Sequence, residues 1–88
     1  MPPTSTTVAV TVRFFAAARA AAGVDEAIVV VPGATVDALV ATVGAGDPEL
    51  ARVLQRCSFL VDEVAVRDRG AALADGSTVD VLPPFAGG

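Results

Sequence analysis

Val8, Val10, Val12 and Phe14 alternate with Ala9, Thr11, Arg13 and Phe15, and this period of two constrains the fold more than any other feature of the chain. It predicts a strand with one buried face, which needs a sheet beside it and a second layer to cover it. The main candidate for that layer lies mid-sequence. Val36, Leu39, Val40 and Val43 follow the i, i+3, i+4, i+7 spacing of a helix stripe, with Thr35 as N-cap and Asp37 in a first turn that favours negative charge. With 88 residues, 53% of them hydrophobic but only 5% aromatic, the chain can build one small domain around a core of Val, Leu and Ala.

The other elements fall between these two and after them. Ala16 to Ala22 is rich in the best helix former and stops at Gly23, which predicts a short helical turn capped by glycine. A second strand is expected from Asp25 to Val31, halted by Pro32-Gly33. Gly44-Ala45-Gly46 ends the main helix. Asp47-Pro48-Glu49 then reads as an N-cap with proline at the first helical position, leading a shorter helix through Leu50, Val53 and Leu54. Phe59-Leu60-Val61 and Val64-Ala65-Val66 read as two short strands around a turn at Asp62-Glu63, or as one bent strand. Arg67 to Gly76 is a polar connection with a turn at Asp75-Gly76, and Thr78 to Leu82 is the last strand. Pro83-Pro84 lacks two ladder donors, so the sheet cannot continue past it. The expected architecture is α+β: a β-grasp, in which a mixed sheet is packed on one main helix. An SH3-like barrel has no use for the helix at Val36 to Val43.

Composition narrows the chemistry further. There is no His, Tyr or Trp, and all six basic residues are Arg, so the usual general base, Schiff-base amine and phenolic acid are missing. Self-contained catalysis is not expected. The one cysteine, Cys57, cannot form an internal disulfide, and it excludes an iron–sulfur cluster, which wants four thiolates. No bound metal or cofactor is expected. A net charge of −4 argues against nucleic acid and for partners with basic surfaces. The apolar stretches are far short of the roughly 20 residues of a membrane span, and Met1 to Thr7 has no positive n-region, so a cytoplasmic location is expected.

The end of the chain carries the most specific signal. After a strand and two prolines come Phe85-Ala86-Gly87-Gly88, which extended could reach about 13–14 Å, far enough to enter a partner's tunnel. Glycines without Cβ could thread a narrow channel. Val12-Arg13-Phe14-Phe15-Ala16 with Arg19 and Gly23, Leu73-Ala74-Asp75-Gly76, and above all Val81-Leu82-Pro83-Pro84-Phe85-Ala86-Gly87-Gly88 resemble the MoaD/ThiS family of ubiquitin-like sulfur carriers. The resemblance runs from about Val8 to Gly88. The length and the double proline look most like the small subunits of molybdopterin synthase within that family. One departure is Asp62-Glu63, where family members commonly carry an Asn-led turn.

The expected division is residues 1–6 as a disordered tail, 7–82 as the β-grasp domain and 83–88 as a flexible diglycine tail. The resemblance implies that an adenylating, E1-like enzyme consumes ATP to join the Gly88 carboxylate to AMP, and that a sulfur donor then displaces AMP to leave a thiocarboxylate. Pro83, Pro84, Phe85, Ala86 and Gly87 would thread into a large synthase subunit, in a heterotetramer of two small and two large subunits. Strand parity turns Phe15 and Leu82 away from the core, where they would form an apolar docking patch beside the tail, with Arg13 and Arg19 either rimming it or only solubilising it; the alternative for Phe15 is burial beneath the Ala16 to Ala22 turn. Cys57 could serve as a sulfur relay, but a lone free cysteine usually behaves as a small core residue. A ubiquitin-like protein modifier, or a carrier for thiamine or cysteine synthesis, would end in the same two glycines.

Overall fold

The computed structural model describes residues 7–84. The expected tail over residues 1–6 and the threading residues Phe85, Ala86, Gly87 and Gly88 lie outside the described residues. Strand β1 (Thr7–Phe14) buries Val8, Val10, Val12 and Phe14, as the alternation requires. Helix α1 (Ala16–Ala22) closes at Gly23, whose φ of 81° suits the left-handed cap and whose N–H donates to the Arg19 carbonyl at 2.9 Å. Strand β2 (Glu26–Pro32) returns antiparallel to β1 with Val8 opposite Val31, one residue later at each end than the sequence suggested.

Helix α2 (Val36–Gly44) starts where Thr35 Oγ1 accepts from the Ala38 N–H at 3.1 Å. Helix α3 (Pro48–Leu54) starts the same way, with Asp47 Oδ1 accepting from Leu50 N–H at 3.1 Å. Strands β3 (Ser58–Val61) and β4 (Val64–Ala65) form a hairpin, and β5 (Thr78–Leu82) completes a sheet of order β2-β1-β5-β3-β4. Only β1 and β5 are parallel; the other neighbours are antiparallel. This mixed sheet grasping a helical layer is the β-grasp. All three helices, not one, supply the second layer: Ala18, Val36, Leu39, Leu50 and Leu54 join Val10, Val12, Val31, Phe59, Val79 and Val81 in one buried cluster.

The connection between β4 and β5 is irregular but not idle. Val36 and Asp37 donate their N–H groups to the carbonyls of Ala71 and Arg69 at 3.1 and 2.8 Å, so this segment satisfies the first turn of α2. Leu73 is buried there and donates its own N–H to Ala34 O. Arg69 Nη2 reaches the carbonyls of Leu54, Gln55 and Cys57, each at 3.3 Å, and its guanidinium lies 5.0 Å from the centroid of the Phe59 ring. A cation at the C-terminus of α3 is favoured by the helix dipole as well as by these bonds. At Asp75-Gly76 the turn seeds β5 beside β1: Asp75 Oδ1 accepts from Ala9 N–H at 2.8 Å, while Gly76, at φ 87°, donates to Ala9 O at 2.7 Å.

The β3–β4 turn takes positive φ at both central residues, 48° at Asp62 and 71° at Glu63. This is the geometry that Asn-Gly serves best. Asp62 tolerates it because its carboxylate accepts from Thr78 N–H at 3.0 Å and its N–H donates to Thr78 O. Glu63 has no such compensation in its backbone position, so Glu63→Gly is expected to raise stability by about 1 kcal/mol in urea denaturation. An unchanged or lowered midpoint would show that residue 63 is not held in the left-handed region.

Candidate functional site: the end of β5 and the outer sheet face

Strand β5 lies at the centre of the sheet and delivers the chain to Pro83-Pro84. Pro83, the first residue after β5, is buried. Its ring cannot extend the ladder but is apolar, and it packs at a cleft of about 190 Å³ lined by Ala17, Val53, Arg56, Pro83 and Pro84. The root of the tail therefore lies beside α1 and α3 with Pro83 buried, and Pro84 is the first exposed residue after it. No sequence signal tied Val53 or Arg56 to this place.

On the face of the sheet away from the helices, Phe15 is 37% exposed and Leu82 is half-buried. Phe15 is not buried beneath α1. Its N–H donates to Val81 O at 3.2 Å, which continues the β1–β5 register and sets Phe15 beside Leu82 along the chain. Its neighbour Ala16 takes a φ of 52°, an unfavourable value for a residue with a Cβ, at the point where the strand turns into α1.

The parallel register also places Arg13 opposite Asp80. The two form a bidentate pair, Nε to Oδ1 at 2.6 Å and Nη2 to Oδ2 at 2.9 Å. The Asp80 side chain is almost fully covered, whereas Arg13 remains substantially exposed. Hydrogen bonding to Asp80, then its charge, raises the Arg13 pKa further above the guanidinium's usual value. Arg13 also sits 5.9 Å from the Phe15 ring centroid, so it rims the Phe15 patch while its charge is matched by Asp80. Arg19 is not part of this group; it pairs at 3.5 Å with Asp25 in an exposed contact. Beyond the pair, an open cleft of about 250 Å³ runs between Arg13, Asp80, Thr78, Asp62 and Glu63.

Cys57 is buried and donates its S–H to Val53 O at 3.2 Å. Burial raises its pKa, outweighing the opposing influence of Arg69, so the thiol is held protonated at neutral pH and has the character of a core residue. Ser77 is likewise buried, with its hydroxyl donating to Ala74 O at 2.7 Å. Among the described residues no cluster of His, Cys, Asp and Glu has the makings of a metal site, and no helix is long and apolar enough to cross a membrane. What this arrangement offers chemically is a rigid base for a terminal segment and a mixed apolar and ion-paired face beside it.

Residues 12–88 match the model of the ThiS family. The chain is 37% identical over 79 residues to the molybdopterin synthase sulfur carrier subunit of Chlamydomonas reinhardtii, covering 88% of this chain and 95% of that protein. A candidate subunit 1 of the molybdopterin converting factor from Pyrococcus furiosus superposes with a TM-score of 0.78 at 29% identity, over 89% of this chain and 99% of that one. SAMP1 from Haloferax volcanii superposes with a TM-score of 0.76 at 26% identity, over 91% and 99%. The family match begins inside β1 and takes in the Pro83-Pro84 root and the diglycine, the same features that set the site apart, and the chain belongs to the ThiS family.

Proposed function

We propose that this protein is a sulfur carrier that acts as the small subunit of a molybdopterin synthase, with the Gly88 carboxyl group as its reactive centre. The observation that carries this reading is the root of the tail: central strand β5 leads into buried Pro83 at the start of the diglycine segment, and Phe15, bonded to Val81 of that strand, is exposed. Family membership and the likeness to the Chlamydomonas reinhardtii subunit support it. In the proposed cycle a Gly88 carboxylate oxygen attacks the α-phosphorus of ATP on an adenylating enzyme and pyrophosphate leaves. Hydrosulfide released by a sulfur donor then attacks the acyl carbon, AMP departs with that oxygen, and loss of the S–H proton leaves a thiocarboxylate. The charged tail enters the active site of the large synthase subunit, where its sulfur passes to a cyclic pyranopterin precursor and water restores the Gly88 carboxylate. A chain without His, Lys or Tyr suits the role of substrate and donor, its partners supplying the acid and base groups.

The test is the intact mass of the protein after incubation with an adenylating enzyme, ATP and a sulfur source. Replacement of one oxygen by sulfur supports the reading; an unchanged mass with an active enzyme overturns it. The likeness to SAMP1 favours one other reading, a ubiquitin-like modifier, for which the same terminus would instead appear as an amide on target lysines.

Docking is separable from the tail. Phe15→Asp is expected to weaken binding to the large subunit by about tenfold or more, because an unpaired charge in an apolar contact is costly to desolvate. Since Phe15 is 37% exposed, its melting temperature should stay near that of the parent. Calorimetric titration beside a thermal melt distinguishes the outcomes, and unchanged binding removes Phe15 from the interface.

A further inference from the structure

The two ladders of β1 fix which way every backbone group of β2 points. Phe14 N–H donates to Asp25 O at 2.8 Å, while Thr11 N–H donates to Ser77 O and Ala9 O accepts from Gly76 N–H. Even-numbered residues of β1 therefore bond toward β2, and odd-numbered ones toward β5. In an antiparallel pair bonded and non-bonded positions alternate, so Ala27, Val29 and Val31 exchange hydrogen bonds with β1. Glu26, Ile28 and Val30 aim their N–H and C=O groups outward from the sheet, and β2 is its end strand. None of the three makes a backbone bond to another element among the described residues.

The same residues expose apolar side chains: Ile28 is 76% and Val30 60% exposed. Proteins usually blunt such an edge with lysine, an internal proline, a bulge or an inward charge. This strand has none of these between Glu26 and Pro32, and its pairing with β1 runs unbroken from Thr7–Pro32 to Arg13–Glu26.

We propose that the β2 edge is the seam of a symmetric dimer, occupied by β2 of a second copy of this chain in antiparallel register with Ile28 opposite Ile28. The strand is self-complementary in that register. Glu26 faces Val30 of the copy, Ile28 faces Ile28, and every outward donor and acceptor of the three residues finds a partner. Pro32, which has no N–H, falls outside the bonded stretch and faces the exposed Val24. The two Glu26 carboxylates sit four residues apart along the seam, about 13–14 Å, and do not oppose each other. Shifting the two-fold axis to Val29 would set Pro32 against Glu26 and leave acceptors without donors. The seam rests on three bonded residues from each copy, far fewer than the roughly 20–30 residues a side of a standard stable interface, so association belongs at the weak end. Each copy carries a net charge of −4, and salt that screens this repulsion strengthens the dimer.

Sedimentation equilibrium from micromolar to millimolar protein, at low and high salt, tests the seam together with amide hydrogen exchange. The expected result is a mass rising from 8.8 kDa toward twice that value, more readily at high salt, with Ile28 and Val30 amides slowing as concentration rises. Ile28→Lys sets two like charges opposite each other, and Val30→Pro removes an outward N–H without costing β1 a bond; each should weaken dimerisation by about tenfold or more. A monomer at every concentration overturns the proposal, as does a dimer indifferent to both variants. Amide protection that does not change with concentration, the mark of a segment of the same chain lying on the edge, overturns it too.

Discussion

Leu39→Ala is expected to destabilise the domain by about 2–5 kcal/mol in urea or thermal denaturation. Leu39 is 1% exposed on α2, which packs against β2 and α3, and it belongs to the same buried cluster as Val10, Val12, Val31 and Val79. Those neighbours are β-branched residues on paired strands, which cannot move inward to refill the void without breaking ladder hydrogen bonds. For a domain of this size total stability is of order 5–15 kcal/mol, so the substitution removes much of it. A loss below about 1 kcal/mol would mean that the stripe Val36, Leu39, Val40, Val43 faces solvent. The half-buried Val40 is an internal control: its truncation to alanine should cost clearly less.

The features legible in the sequence were those written in short-range periodicity. β1 and α2 declare themselves because each buries one face, which leaves a period of two or of 3.6 in the residue types. Caps were legible for the same local reason: Thr35 and Asp47 accept bonds from residues three positions on. Contacts between distant residues were not. Arg13 and Asp80 are 67 positions apart, and only the parallel β1–β5 register brings them together, so Arg13 reads in sequence as a solubilising or rim charge. The stretch before β5 reads as a polar connection because Arg69 and Asp75 look solvent-directed. In the fold one caps α3 and the other holds Ala9. The isolated Leu73 in that stretch was the available sign that it packs. Pro83 misled in the opposite way: its lack of an N–H ends the ladder, which suggested a projecting tail, but the ring itself is apolar and is buried against the helices.

That buried proline gives the second large effect its sharpness. If the Gly88 carboxyl group is the reactive centre, the number of residues between it and the buried Pro83 sets how far it can reach. Adding one residue after Gly88 moves the terminal carboxylate by up to about 3.3–3.6 Å. A displacement of 1 Å from the attacking geometry can cost about a hundredfold in rate, so thiocarboxylate formation by the extended protein is expected to fall by at least about that factor. Stability should be unchanged, because the buried cluster is built from residues between Val8 and Val81. Binding to the adenylating enzyme should persist where it rests on the Phe15 face. Intact mass spectrometry of parent and extended proteins under the same incubation reads the result directly, with a thermal melt as the control for folding. Conversion of the untrimmed, extended protein at the parental rate would show that the terminal position of Gly88 is not what the chemistry depends on.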